Sequence, residues 1–345
     1  MRLLCLAALF LATLASAQAP NDCVGGFDLS PKPSKCELNQ LTNGEPADAD
    51  KVMQNFNSLS DAIDGLGDKI EMVAPTATSS DSFTEGWPEF VADCTSDQNK
   101  LRDQWSNIQT AERAVINITG ACLEPIGGMT VLGQRLFLHG EPEDDGNYYN
   151  CGATATILDD GNNQLDIQIS QQGFLMLECV QLGVTEPANI QTHTHDTLRF
   201  LHGVSAGSGN LDIKLNNGGV FRSSSRPLKM RTLTLDNSSV AEIYHHLDIA
   251  SIDLARGSTF NSEGAGRLSD EPDDEGGSIG SLNVRWGSRA IFSYFAHDIA
   301  INQLTASQQS VIMDFSYNTN CPQLVISTQT LKDGASRVSE RQTGC

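Results

Sequence analysis

The 345-residue sequence is poor in basic residues, in aromatic residues and in long apolar runs. It has 22 Lys and Arg against 43 Asp and Glu, a formal net charge of −21. This balance excludes a typical nucleic-acid-binding protein, because contacts to phosphates need a basic face. No segment approaches the roughly twenty apolar residues of a membrane-spanning helix, so no integral membrane span is expected. Aromatic residues make up 6% of the chain, so few ring platforms are present for a sugar polymer.

The first seventeen residues are typical of a secretory signal peptide. Arg2 supplies the positive charge, the apolar stretch covers residues 3–14, and Ala15-Ser16-Ala17 matches a cleavage site. The alternative is a retained membrane anchor. We therefore expect a protein that is secreted, extracellular or on the cell surface, with the periplasm as another compartment.

The cysteines indicate disulfides. Cleavage of the signal peptide removes Cys5 and leaves an even count of eight, as expected of an exported chain. C-x-x-C and H-E-x-x-H spacings are both lacking, which argues against zinc or redox chemistry. The spacing favours pairing of neighbours along the chain: Cys23–Cys36, Cys94–Cys122, Cys151–Cys179 and Cys321–Cys345.

Residues 41–73 contain a heptad pattern with apolar residues alternately three and four positions apart. The pattern predicts either an amphipathic helix packed on its own domain or a short coiled coil that forms an oligomer. Within it, the segment NGEPADADKVMQNFNSL resembles an N-terminal segment of bacterial and phage tail-fibre-like surface proteins. That resemblance implies a homo-oligomer, often a trimer, although the pattern itself does not determine the number of chains.

The segment APTATSSDS, residues 74–82, is a small-residue linker and the expected domain boundary. We divide the chain into a signal peptide at 1–17, a disulfide-clipped segment with helix and linker at 18–82, and a main domain at 83–345.

A repeat of about twenty residues determines the fold prediction. Apolar-x-apolar strands followed by polar residues and a small pair begin at residues 213, 233, 252, 282 and 304. The longest interval contains an acidic insertion, residues 268–277. Short strands at this period predict an all-β solenoid of parallel strands with about ten turns, behind the N-terminal coiled-coil helix. The alternative is a β-sandwich with irregular loops.

Residues 91–126 add a family resemblance. A cysteine-containing strand, a helix over residues 98–111 and the strand sequence INITGACLE resemble the opening of secreted bacterial parallel β-helix proteins of the pectin-lyase-like group. The resemblance implies that the solenoid is a right-handed single-stranded parallel β-helix and that the helix caps its open end. The enzymes of this group are lyases that use Ca²⁺ with an Arg or Lys base, or hydrolases that use paired Asp residues with a G-H-G motif, so the resemblance implies one of these two activities. Here the nearest matches are two L-H-G sequences, at 138–140 and 201–203, which lack the first glycine.

Histidine–aspartate pairs recur 51 residues apart, and repetition in a solenoid predicts that they stack along one edge as acid–base or metal-binding groups. The alternative is a set of polar corner residues. One basic cluster, FRSSSRPLKMR, is a further candidate for an anionic ligand. If the protein is an enzyme, the candidate catalytic residues are His195, Asp196, His246, Asp248, His297, Asp298, Arg222 and Arg226.

The acidic insertion offers oxygen ligands that suit calcium, the one candidate cofactor. Its residues Asp270, Asp273, Asp274 and Glu275 lack the spacing of an EF-hand, and a solvated loop is the alternative. With no complete catalytic motif, we predict a structural or adhesive β-helix protein that binds glycans. The alternative is a polysaccharide lyase or glycoside hydrolase.

Overall fold

The computed structural model describes residues 84–142, 151–153, 155–161, 164–207, 209–225, 228–244, 247–263, 277–293, 298–316 and 324–341. The predicted signal peptide, heptad helix and linker lie outside these residues. The residues from Gly86 onward belong to one compact unit.

The described residues form twenty-five strands and one helix, α1, at Lys100–Ile108. In chain order the strands are β1 Glu89–Cys94, β2 Arg113–Leu123, β3 Met129–Leu132, β4 Arg135–His139, β5 Glu141–Pro142, β6 Cys151–Ala153, β7 Ala155–Leu158, β8 Leu165–Ser170, β9 Phe174–Glu178, β10 Val180–Leu182, β11 Ala188–Thr192, β12 Thr197–Phe200, β13 Ser205–Ala206, β14 Leu211–Leu215, β15 Val220–Ser223, β16 Leu228–Leu235, β17 Val240–Tyr244, β18 Leu247–Leu254, β19 Thr259–Glu263, β20 Ser278–Val284, β21 Arg289–Ser293, β22 Ile299–Ala306, β23 Val311–Ser316, β24 Leu324–Leu331 and β25 Ser336–Arg341.

Two long parallel sheets run along the molecule. The first contains β1, β2, β4, β9, β12, β15, β17, β19, β21, β23 and β25, and it continues through β2 into β7, β10 and β13. The second contains nine strands in the order β3, β8, β11, β14, β16, β18, β20, β22, β24. Successive turns of the chain thus add one strand to each sheet, which confirms the predicted parallel solenoid.

The solenoid has about nine turns, one for each strand of the second sheet. The sequence-based figure of about ten was slightly high. That figure assumed twenty residues in every turn, but several turns are longer. For example, Ile249 of β18 pairs with Ile279 of β20, thirty positions later. The right-handed winding stays a prediction.

The core consists of apolar columns inside the stack. Along the second sheet, Leu215, Leu235 and Leu254 lie in register on successive strands, and each is completely buried. Alternate residues of a strand point to opposite faces, so the apolar-x-apolar pattern sends one set of side chains inward in every turn. Stacking then buries them against the same column in the next turn.

The corners that lead from the second sheet to the first are tight turns with two residues in the left-handed conformation, such as Asn237 and Ser238 at φ 52° and 63°. Backbone N–H groups of one turn donate to carbonyl oxygens of the next. Behind four of these turns lies a buried serine whose Oγ donates to the carbonyl three residues earlier, at 2.6–2.7 Å. These serines are Ser239, Ser258, Ser288 and Ser310.

Helix α1 confirms the helix expected near residues 98–111. It buries Leu101, Trp105 and Ile108, which belong to the same apolar cluster as Ile116 on β2. Since β1 and β2 are the first rungs of the first sheet, the helix covers core residues that would otherwise lie open at this end.

Two predicted disulfides are present, Cys94–Cys122 and Cys151–Cys179, with Cα–Cα distances of 5.2 and 5.6 Å. The other two predicted pairs, Cys23–Cys36 and Cys321–Cys345, lie outside the described residues. Within the described part of the chain, no helix has the length and apolar character needed to cross a membrane.

Candidate functional site

The outer face of the first sheet changes character along the stack. At its N-terminal end the face is apolar, and Trp87 covers Val115, Phe137 and Met176, leaving each of these four side chains at most 8% exposed. In the next strand the residue in register with Met176 is Arg199. The position in register is polar on β12, β15, β17 and β19, and it is apolar again on β21 and β23, where Ile291 and Met313 occupy it.

We call this polar area the sheet-1 strip. Arg199, Arg222, Glu242 and Asn261 lie in register on β12, β15, β17 and β19. Because neighbouring parallel strands lie about 4.8 Å apart, the strip is a straight ladder of polar groups along the solenoid axis. Tyr244 stands two residues beyond Glu242 on the same face of β17.

The two arginines of the strip differ in their partners. The Nε atom of Arg222 lies 2.6 Å from Oε2 of Glu242, whereas Arg199 has no ion pair among the described residues. Although Arg199 is exposed as a residue, partial desolvation of its guanidinium lowers its pKa, and the charge of Arg222 lowers it further. Within the described part of this strongly acidic protein, Arg199 is therefore a cation without a carboxylate at ion-pair distance.

Tyr244 is a hydrogen-bond donor of the strip. Burial raises the pKa of its phenol above the ordinary value, and the charges of Glu242 and Glu263 act in the same direction. The phenol therefore keeps its proton at neutral pH.

A histidine–glutamate cluster adjoins the strip. Glu178, on β9, is 4% exposed. Its Oε2 lies 2.9 Å from Nε2 of His139, and its Oε1 lies 3.2 Å from Nδ1 of His202. Burial lowers the pKa of His202, while the charge of Glu178 opposes this shift. The charge of Glu178 also acts on Arg199, so the cluster and the strip are electrostatically connected.

The sequence analysis did not select these residues, but a signal was present. His139 and His202 are the histidines of the two L-H-G sequences. A side chain at Gly140 would place its Cβ 2.1 Å from the carbonyl oxygen of Cys179, and one at Gly203 would lie 2.1 Å from Sγ of Cys151. The glycines are thus required by close packing around the Cys151–Cys179 disulfide.

The cluster does not form a metal site with the nearby cysteines. The sulfur atoms of Cys151 and Cys179 and a ring nitrogen of His202 lie within 4.8 Å of one another. However, the two sulfurs are bonded to each other, so neither is a thiolate, the form in which cysteine binds metal ions.

The structure places His195 and Asp196 in the corner turn before β12. Asp196 is completely buried. Its carboxylate accepts hydrogen bonds from the backbone N–H groups of Gly173, His193 and Thr194, at 3.0, 2.7 and 2.9 Å. This geometry gives Asp196 a structural part in holding the turn.

The other described members of the predicted histidine–aspartate ladder lie at a different corner. Asp248 is at the beginning of β18 and accepts a hydrogen bond from Oγ of Ser278 at 2.8 Å. Asp298 is exposed and precedes β22. The predicted common edge with Asp196 is therefore wrong, because the number of residues per turn varies and the interval from Asp196 to Asp248 is not a whole number of turns.

Arg222 is the predicted candidate that the structure brings into the polar site, beside Arg199. The predicted residues His246, His297 and Arg226 lie outside the described residues, as do the calcium candidates Asp270, Asp273, Asp274 and Glu275.

Comparison of the chain with models of known families, with characterised proteins and with solved structures finds no match. The likeness to pectin-lyase-like and tail-fibre-like proteins therefore stays a prediction.

Proposed function

We propose that the protein is an exported structural or adhesive β-helix protein that binds a glycan along the sheet-1 strip. The single observation that carries the proposal is the in-register ladder in which Arg199, beside Arg222, Glu242 and Tyr244, forms no ion pair with any described carboxylate. Guanidinium groups bind carboxylates well. A regular ladder suits a linear polymer, and the mixture of donors and acceptors suits sugar hydroxyls.

Two further features support export and an extracellular role. The disulfides Cys94–Cys122 and Cys151–Cys179 are typical of an oxidising compartment. A rigid solenoid also presents an extended surface without requiring any moving part.

The experiment measures binding of the full-length protein to acidic and neutral polysaccharides at low and high salt. We expect an acidic glycan, one that carries carboxylate groups, to bind. Arg199→Ala should lower its affinity about tenfold, equivalent to about 1.4 kcal/mol, because a charged hydrogen bond is lost. The matched control is Arg231→Ala on the second sheet, since Arg231 is 50% exposed and paired with Asp212 much as Arg222 is with Glu242. Equal losses in both variants would contradict the proposal.

The alternative is a polysaccharide lyase or glycoside hydrolase, favoured by the acid–base groups of Glu178, His139 and His202 beside Arg199. It is distinguished by the molar mass of each polysaccharide after incubation with protein and Ca²⁺. A falling mass that Glu178→Gln prevents would establish the enzyme; unchanged masses together with binding favour the adhesive protein.

A further inference from the structure

The corner turn between β20 and β21 contains a tryptophan in an unusual backbone conformation. Trp286 has φ 56° and Gly287 has φ 70°. A bulky residue is rarely found in this left-handed region, which Asn, Asp and Gly tolerate best. The equivalent position in six other turns also has a positive φ and is occupied by Gln171, Asn217, Asn237, Arg256, Gln308 and Asp333, so a large ring is no requirement of the turn.

Neighbouring turns hold Trp286 in this conformation. Its carbonyl oxygen accepts a hydrogen bond from the N–H of Gly257 at 3.0 Å, and the N–H of Gly287 donates to the carbonyl of Gln308 at 2.9 Å. The corner geometry imposes this conformation on whatever residue stands here, so the feature particular to this turn is a large ring at a position that smaller polar residues fill elsewhere.

The ring of Trp286 faces solvent. It is 45% exposed, whereas the other two tryptophans, Trp87 and Trp105, are 8% and 5% exposed. The guanidinium carbon of Arg285 lies 5.0 Å from the centroid of the Trp286 ring. This cation–π contact restricts the orientation of the ring.

A row of polar side chains lies on the second sheet next to this corner. Asp253, Asn283 and Thr305 are in register on β18, β20 and β22. Together with Arg285 and Ser307 they line an open depression of about 240 Å³. None of the three side chains has a hydrogen bond or an ion pair within the part of the chain that the structure describes.

We infer that this corner is a binding site for one pyranose ring of a neutral glycan. The Trp286 ring offers an apolar platform for the C–H face of the sugar. The carboxylate of Asp253 accepts hydrogen bonds from hydroxyl groups, the amide of Asn283 both donates and accepts, and the hydroxyl of Thr305 does the same. Arg285 both contacts the Trp286 ring and lines the depression, so the aromatic platform adjoins the polar groups.

The chemistry argues against other ligands. Asp253 and the net charge of −21 disfavour a phosphate or a nucleic acid. Only the choice of a glycan as the ligand rests on the proposed function. The site itself is independent of it, because this corner belongs to the second sheet and shares no residue with the sheet-1 strip.

The experiment titrates full-length protein with a panel of neutral pyranose oligosaccharides and records tryptophan fluorescence and its quenching by acrylamide. Only Trp286 is substantially exposed, so a bound sugar should protect it from acrylamide and shift its emission to shorter wavelength. Trp286→Asn should abolish the sugar-induced fluorescence change and the binding measured by calorimetry. The thermal midpoint of this variant should be equal to or above that of the parent, because Asn suits a positive φ.

Matched variants complete the test. Gln308→Asn, at the same turn position one turn later, should bind like the parent, whereas Asp253→Ala should lose at least tenfold in affinity. No protection by any sugar of the panel, or parental binding by Trp286→Asn, would overturn the inference. If acidic glycans bind through Arg199 but neutral glycans show no binding that depends on Trp286, the corner site is refuted and the sheet-1 proposal stands. The opposite result would remove the sheet-1 proposal and keep the corner site.

Discussion

Replacing Asp196 by Ala tests whether this buried carboxylate is structural. In the native turn it accepts three backbone N–H groups. Two of the donors keep a second acceptor after the substitution: the N–H of His193 also contacts the carbonyl of Ile169 at 3.0 Å, and that of Gly173 contacts Ser170 at 3.1 Å. The N–H of Thr194 loses its partner.

The expected cost follows from this count. Thr194 is exposed, so water can replace the carboxylate at its N–H, and the cost comes from the lost hydrogen bonds to a charged acceptor, about 1.5–3 kcal/mol each. We therefore expect Asp196→Ala to lower the free energy of unfolding by about 3 kcal/mol, within the range for breaking a buried network. Asp196→Asn should cost less, since the amide oxygen still accepts.

The assay is urea unfolding followed by circular dichroism, with hydrogen exchange at Thr194 as a local readout. Asp248→Ala serves as control: this carboxylate accepts one hydroxyl group, from Ser278, and its loss should change stability by less than about 0.5 kcal/mol. If Asp196→Ala unfolds like the parent, the structural assignment is refuted. Loss of a polysaccharide-cleaving activity at unchanged stability would instead make Asp196 catalytic.

Three other predictions concern stability. Removing the Cys94–Cys122 disulfide, which links residues 28 positions apart, should lower the free energy of unfolding by about 3.5 kcal/mol, and an unchanged urea midpoint would contradict this. Burial, helped by neighbouring aspartates, raises the pKa of Glu124 to about 8 from an ordinary 4.5. The stability contributed by its protonated carboxyl group therefore declines as pH rises between these values. A pH series of thermal midpoints should be flatter for Glu124→Gln than for the parent. Burial lowers the pKa of His202 below 6.5, so the stability that the neutral imidazole contributes is lost as pH falls below 6.5. In the same series, the thermal midpoint of His202→Gln should fall less at acid pH than that of the parent.

The candidate sites depend on contacts that sequence spacing does not reveal. His139, Glu178 and His202 come from three different turns, and their meeting depends on where each turn begins. A stretch of 51 residues looked like a repeat of His and Asp, yet the intervening turns differ in length. Because an odd shift in register sends a side chain to the other face of a sheet, small differences in turn length decide which polar groups meet.

The sequence alone determined the parallel solenoid, its inward apolar columns, the end-covering helix and two disulfide pairs, for instance Cys151–Cys179. The solenoid, the columns and the disulfides follow from local patterns, namely a period of about twenty residues, strand alternation and cysteine spacing. The helix was expected from the resemblance of residues 91–126 to pectin-lyase-like proteins. Only the tertiary structure decided that Asp196 is a buried turn residue, that Arg199 stands beside Arg222, and that Trp286 faces solvent in contact with Arg285. The reason is physical: each of these relations depends on the register between turns, and that register is set by the packing of the whole stack.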